Sequence, residues 1–153
     1  MLDAPSVEDR PFGCPLTSTV PVIIELPGAP AGKGRPRFSR RSGHAYTPAK
    51  TRSYESMLQG AAIEAMAGRP PIEGPIRVVI SAHFPVPASW SMKKRAAALL
   101  GAIRPGRPDW DNLAKMLDAF NAVVWQDDSQ VADGSIIKRY SDTPMLRVTV
   151  WGQ

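Results

Sequence analysis

A single cysteine, Cys14, occurs in the 153 residues. It cannot form an internal disulfide, and a cysteine-rich zinc site cannot be built from it. No apolar run approaches the ~20 residues that a membrane helix needs. The first residues, MLDAPSVEDRPFGCPLTST, lack a basic start followed by an apolar stretch, so no secretion signal is expected. These absences point to a reducing, cytoplasmic setting without a membrane partner. Histidine is scarce too: His44 and His83 each stand alone in their segments, and neither joins a candidate site. Finally, no acid occurs between Glu25 and Glu55.

That last gap belongs to a wider asymmetry. The formal net charge is +5. Between Asp109 and Asp133, however, six acids (Asp109, Asp111, Asp118, Asp127, Asp128, Asp133) face one base, Lys115. The remainder therefore holds 18 bases against 8 acids, a net of +10. An acidic island sits in a basic body. The basic body suits a polyanion such as nucleic acid, which the island would repel unless something neutralises it.

Hydrophobic residues make up 43% of the chain, which suits one folded domain with a real core. Residues 1–19 are rich in Pro, Ser and Thr without periodicity, and a mobile tail is expected there, ahead of a domain over 20–153. VPVIIEL (Val20–Leu26) reads as a strand, and RFSRRSGHAYT as a short hairpin turning near RRSG. A helix is expected from Ala49 to Ala67, with Thr47 as N-cap and Pro48 at its start. Tyr54, Leu58, Ala61, Ala62 and Ala65 supply its buried face. PIRVVISAHF alternates as a strand that buries Ile76, Val78, Ile80, Ala82 and Phe84. A second helix over Ser89–Gly101 and a basic loop, AIRPGRP, lead to a third helix. Two closing strands, VADGSIIKRYS and MLRVTVW, read as antiparallel neighbours across DTP. The fold class expected is α+β: one domain, a mixed or antiparallel sheet of about four main strands, a basic hairpin and packed helices.

RPDWDNLAKMLDAF, at Arg107–Phe120, holds the start of the island. With Asp111 at zero on an α-helical wheel, Lys115 falls at about 40° and Asp118 at about −20°. Leu113, Met116, Leu117 and Phe120 fall on the opposite side. Asp109, just ahead, can cap the first turn or bend back toward the acidic face. Taken alone, this is a solvated helix face with an i,i+4 ion pair. The D-x-D at an element boundary and the later Asp127–Asp128 pair suggest more. Carboxylates converging there repel one another unless a hard cation such as Mg²⁺ or Mn²⁺ joins them. On a basic protein, that cluster points to phosphodiester chemistry. The metal would activate water and stabilise the leaving oxygen, with Lys115 assisting at the water or phosphate.

The acid-free interval carries Lys33, Arg35, Arg37, Arg40, Arg41, Lys50 and Arg52, with Phe38, His44 and Tyr46 among them. A solubilising loop would look similar. The density of charge and the interleaved aromatics favour contact with a nucleic-acid backbone, and Arg107 joins that set from the other basic loop. Trp90, Trp110, Trp125 and Trp151 are expected to pack rather than stack on bases.

RPDWDNLAKMLDAFNAVVWQDDSQV resembles the signature of the RusA-type Holliday junction resolvases, common in bacteria and prophages: D-x-D-N-x-x-K, then D-A on the same helix, then D-D-x-Q-V. KGRPRFSRR and YTPAKTRSYE are similar to the N-terminal segment of phage-type members. The likeness runs from Val20 to Trp151. It implies a homodimeric, Mg²⁺-dependent endonuclease making paired nicks in four-way DNA junctions during recombination and repair. It further implies Asp109, Asp111 and Asp128 as the essential carboxylates and Lys115 as the important lysine. Asp118 and Asn112 would be supporting residues, and Asp127 a ligand or the support of one. Two other readings compete. One is a nuclease for other branched DNA or for RNA; the other is a junction-binding protein without catalysis.

Overall fold

A computed structural model describes residues 20–153; the expected tail and Cys14 lie outside the described residues. Four strands form the main sheet: β1 (Val22–Pro27), β4 (Ile76–Pro85), β5 (Val131–Ser141) and β6 (Met145–Gly152). Two short strands, β2 (Arg37–Phe38) and β3 (Ala45–Tyr46), form a separate hairpin. The helices are α1 (Ala49–Met66), α2 (Met92–Leu99) and α3 (Trp110–Ala114), the last running into a 3-10 segment at Lys115–Phe120. This is the single α+β domain that the residue patterns imply.

The alternation in β4 is as expected: Ile76, Val78, Ile80, Ala82 and Phe84 are buried. Val22 and Ile24 on β1 and Leu146, Val148 and Val150 on β6 join them, and α1 and the 3-10 segment close over that face. Helix α1 contributes Tyr54, Leu58, Ala62 and Met66, one from each successive turn. Its start differs from expectation. Pro48 holds the N-cap position and offers no side-chain acceptor, so Thr47 does not cap the helix.

The strand order is β1-β6-β4-β5, which corrects the expected β5–β6 pairing. β4 stands between them, antiparallel to β6 and parallel to β5. The link at 142–144 steps across the C-terminal end of β4. Burial explains the choice. The apolar residues of β6 are fully enclosed only between two neighbours, whereas Asp133, Ser135 and Arg139 of β5 suit an edge.

The hairpin forms where expected. Ser39 N donates to His44 O at 3.0 Å and Gly43 N to Ser39 O at 2.9 Å, with Gly43 at φ 69° in the left-handed region. All four residues of β2 and β3 are exposed, so the hairpin projects from the core.

Candidate active site

The aspartate pair sits where an extended turn becomes a helix. Asp109 is the N-cap of α3, with φ −65° and ψ 156°, yet its side chain caps no N–H. Leu113 N closes the first turn on Asp109 O at 3.2 Å. The Asp109 carboxylate is exposed and uncommitted to the helix. Asp111, in the first turn, accepts from Lys115 Nζ at 2.9 Å. That hydrogen bond holds the Asp111 carboxyl below the usual carboxylate range, so it is ionised at neutral pH. An exposed pair of this kind adds little to stability.

The 3-10 winding changes the expected wheel. Three residues complete a 3-10 turn, so Asp118 lies under Lys115 instead of rotating back toward Asp111. Leu113, Met116 and Phe120 still form the buried stripe, with Leu117 partly buried beside them. Asp118 pairs with Lys33 Nζ at 2.8 Å, and the same ammonium meets Glu55 Oε1 at 3.2 Å. The hydrogen bond to Asp118 raises the Lys33 pKa most, burial opposes it, and Glu55 adds a further rise. Lys33 therefore differs from the other bases of its segment, because its ammonium already has two carboxylates. Together with Arg52, Ser56 and Gln59 these three residues line a cleft of about 410 Å³.

The backbone of the aspartate turn is held from two sides. On one side Lys33 N donates to Asn112 O at 2.8 Å, and Gly32 lies flat against the turn. A Cβ on Gly32 would stand 2.7 Å from Pro108 Cβ and 3.1 Å from Asn112 Cβ. Glycine is needed here for close approach. Gly32→Ala is expected to cost about 1–3 kcal/mol by overpacking and to displace Pro108. Gly60→Ala, in α1 with open space around it, should be neutral or stabilising by roughly 0.5–1 kcal/mol. Thermal unfolding of the two variants makes the comparison. On the other side, Lys138 Nζ donates to Gly106 O at 2.7 Å and to Pro108 O at 3.2 Å.

Asp127 and Asp128 differ in what their carboxylates do. Asp127 caps the 3-10 turn Asp128–Gln130: its Oδ1 accepts from Ser129 N at 2.9 Å, and Gln130 Oε1 accepts from Asp127 N at 3.2 Å. The bond from Ser129 holds the Asp127 carboxyl below the usual range. Gln130 also donates to Ile72 O and Gly74 O, at 2.9 and 2.8 Å, which ties the turn to the segment that leads into β4. Asp128 is exposed and forms no ion pair among the described residues. Asp111 and Asp127 thus share one pH signature. Their contribution to folding is present above the ordinary carboxylate range. It is lost as pH falls through the lowered folded-state values.

Among the described residues, no three His, Cys, Asp or Glu side chains form a group that could hold a metal ion. The expected set of Asp109, Asp111, Asp127 and Asp128 is thus not gathered at ligating distance. The donor chemistry nonetheless fits a hard dication: the three carboxylates of Asp109, Asp111 and Asp128 are exposed oxygen ligands. Asp111 already binds a cation, the Lys115 ammonium.

Arg35, Arg37, Arg40, Arg41, Lys50, Arg52 and Arg107 are all exposed, and none forms an ion pair with a described acid. Phe38, 69% exposed, stands among them on the hairpin. The tryptophans divide. Trp125 is fully buried, and Trp90 packs edge-on against Tyr140 at 5.3 Å. Trp151 carries Arg77 over its ring at 5.6 Å. Trp110, expected to pack, is 55% exposed above an apolar slot lined by Val78, Ile80, Ala114, Leu117 and Ile136. It lies at the first position of α3.

Lys138 and Gly32 carry no local motif, and Glu55 and Gln130, though inside the quoted YTPAKTRSYE and DDSQV segments, had no role assigned to them. Their long-range contacts cross distant stretches of chain, so spacing could not reveal those; the local part of Gln130's role, the capping box with Asp127, was readable from D-x-x-Q.

No helix among the described residues is long and apolar enough to cross a membrane. The protein YqaN of Bacillus subtilis (strain 168), described as uncharacterised, is 38% identical over 131 residues, covering 80% of this chain and 90% of that one. The family model for endodeoxyribonuclease RusA matches residues 27–151, a span that holds the hairpin, the aspartate turn, the Asp127–Asp128 turn and most of the sheet beyond β1. With its D-x-D-N-x-x-K on α3 and that match across most of the domain, the chain belongs to the RusA endodeoxyribonuclease family.

Proposed function

We propose that the protein is a divalent-metal-dependent nuclease that resolves four-way DNA junctions by paired, symmetric nicks. The observation that carries this reading is a contrast in exposed charge. Two carboxylates open α3 beside Lys115, while seven bases without a described acid partner surround the hairpin and the loop before α3. A basic surface holds the phosphates, and the acids sit where the bond is to be broken.

Asp109, Asp111 and Asp128 would hold the cation, Mg²⁺ or Mn²⁺, which when bound supplies Lewis-acid stabilisation of charge at the phosphate. Asp127 supports Asp128 by fixing its turn. Lys115 orients the Asp111 carboxylate, and its ammonium would meet the negative charge that grows on the phosphate oxygens. Asp118 and Glu55 hold Lys33, which keeps its loop against Asn112. Asn112 thereby supports the turn through its backbone. The arginines of the hairpin, with Lys50, Arg52 and Arg107, grip the DNA backbone. A two-fold homodimer would match the two-fold symmetry of the junction and of the paired nicks.

The test is cleavage of a synthetic four-way junction with Mg²⁺ or Mn²⁺. Nicked duplexes are the expected product. Equal cutting of linear duplex would remove junction selectivity, and preferential cutting of forks, flaps or RNA would reassign the substrate. Binding without any cutting would favour the non-catalytic reading. The grip has its own signature. Arg40→Ala with Arg41→Ala should weaken junction binding and reduce the slope of log K against log salt by about 2, roughly one for each phosphate no longer neutralised.

A further inference from the structure

We infer that Lys138 is a positioning residue for the candidate active site: its ammonium fixes the backbone that presents Asp109. The inference rests on the nuclease reading of that site. Lys138 lies on β5, opposite Ala82 of β4, in register with Ile136 and Tyr140 on the covered face of the sheet. A lysine emerging there must carry its charge to acceptors. It pairs with no described carboxylate. Its Nζ instead donates to Gly106 O at 2.7 Å and to Pro108 O at 3.2 Å, the carbonyls on either side of Arg107.

The second carbonyl matters most. Pro108 C=O belongs to the peptide that enters Asp109, so fixing its plane fixes the Asp109 nitrogen and the direction in which Asp109 leaves the turn. The same loop is tied to β5 a second time, by Arg104 Nη1 donating to Lys138 O at 3.4 Å. Gly32 closes the turn from the other side, against Pro108 and Asn112. The D-x-D is thereby clamped between a loop and the edge strand. Lys138 is the charged member of the clamp, and its ammonium sets a positive charge against a turn that bears two carboxylates. A lysine that only carried its charge out of the sheet would contribute to stability alone. A positioning lysine also governs the rate of chemistry and the local order of residues 106–112.

Full-length Lys138→Met and Lys138→Arg separate these roles. On a four-way junction with Mg²⁺, Lys138→Met should lower single-turnover cleavage at saturating enzyme at least about tenfold, as loss of a residue supporting a ligand does. Junction Kd should stay within about threefold, since Lys138 is committed to carbonyls. Lys138→Arg should recover part of the rate. Amide hydrogen exchange, read without DNA or metal, should rise over residues 106–112 in Lys138→Met and stay unchanged in β4 and α1. Wild-type cleavage by Lys138→Met overturns the inference whatever exchange does. A fall in cleavage matched by a fall in affinity also overturns it, marking a phosphate contact instead. If the wild-type protein cuts no DNA, the nuclease reading fails by itself. Exchange over 106–112 then decides whether Lys138 holds the turn, and unchanged exchange rejects that.

Discussion

Asp111→Asn should yield a protein that binds a four-way junction and fails to cut it. The substitution keeps the shape of the side chain and removes its charge. Asp111 is exposed and its ion pair among the described residues is with Lys115, so the fold loses little. Lys115 can still donate to the amide oxygen. Binding should hold or tighten, because one negative charge leaves a surface that faces phosphates. Cleavage should fall at least about 100-fold, the scale of removing one electrostatic element of a transition state. Single-turnover cleavage of an end-labelled junction gives the rate, and gel retardation in EDTA gives the affinity. Cutting within about threefold of wild type would show that chemistry occurs elsewhere. A parallel loss of binding and cutting would mean that Asp111 shapes the surface without acting in the reaction.

Trp125→Ala should be the most destabilising single change in the domain. Trp125 is fully buried, meets Phe120 edge-on at 5.6 Å, and donates from Nε1 to Asn121 Oδ1 at 2.7 Å. Its removal opens a large cavity and orphans the Asn121 acceptor. Such changes cost about 3–5 kcal/mol, a large fraction of the roughly 5–15 kcal/mol that holds a domain together. A drop in Tm of roughly 10 °C or more is expected by circular dichroism. Trp125→Phe keeps most of the ring packing and loses the hydrogen bond, so it should cost less, about 1–3 kcal/mol with the acceptor unpaired. The site should feel the larger change as well. Trp125 anchors the segment that leads directly into Gln126 and the Asp127 cap, so Trp125→Ala should depress cleavage even below its unfolding temperature.

Much of this architecture was legible in the residues because it is periodic. The alternation from Ile76 to Phe84 and the spacing of Tyr54, Leu58 and Ala62 each encode a face, and burial follows those faces. The RRSG turn encodes its hairpin. Strand order was not legible. β5 and β6 are joined by three residues and pair with the same strand, a choice settled by burial across the sheet and not by the link. The 3-10 winding after Ala114 was hidden too, because KMLDAF is equally compatible with an α-helix. In the candidate site, D-x-D-N-x-x-K and the acid-free segment were visible as motifs. The partners of those motifs were not. Lys33 meets Asp118 across 85 residues, and Gln130 reaches Ile72 across 58. Asp127 reads as a ligand or the support of one in a D-D pair, and the hydrogen bond to Ser129 N shows it capping the turn.

The strand order carries a consequence for biosynthesis. β6, the strand farthest along the described chain, is β1's neighbour in the sheet and also flanks β4. While the chain emerges from a ribosome, β1 lacks its sheet partner until residues 145–152 are outside the exit tunnel. Helices, hairpin and the β4–β5 pair that carries Lys138 can form early, but the four-stranded sheet can close only after β6 has been made. A nascent chain interrupted before Met145 would therefore display the basic hairpin and the acidic island without a finished scaffold beneath them. DNA-cutting competence would arise in one late step, after synthesis of the whole domain.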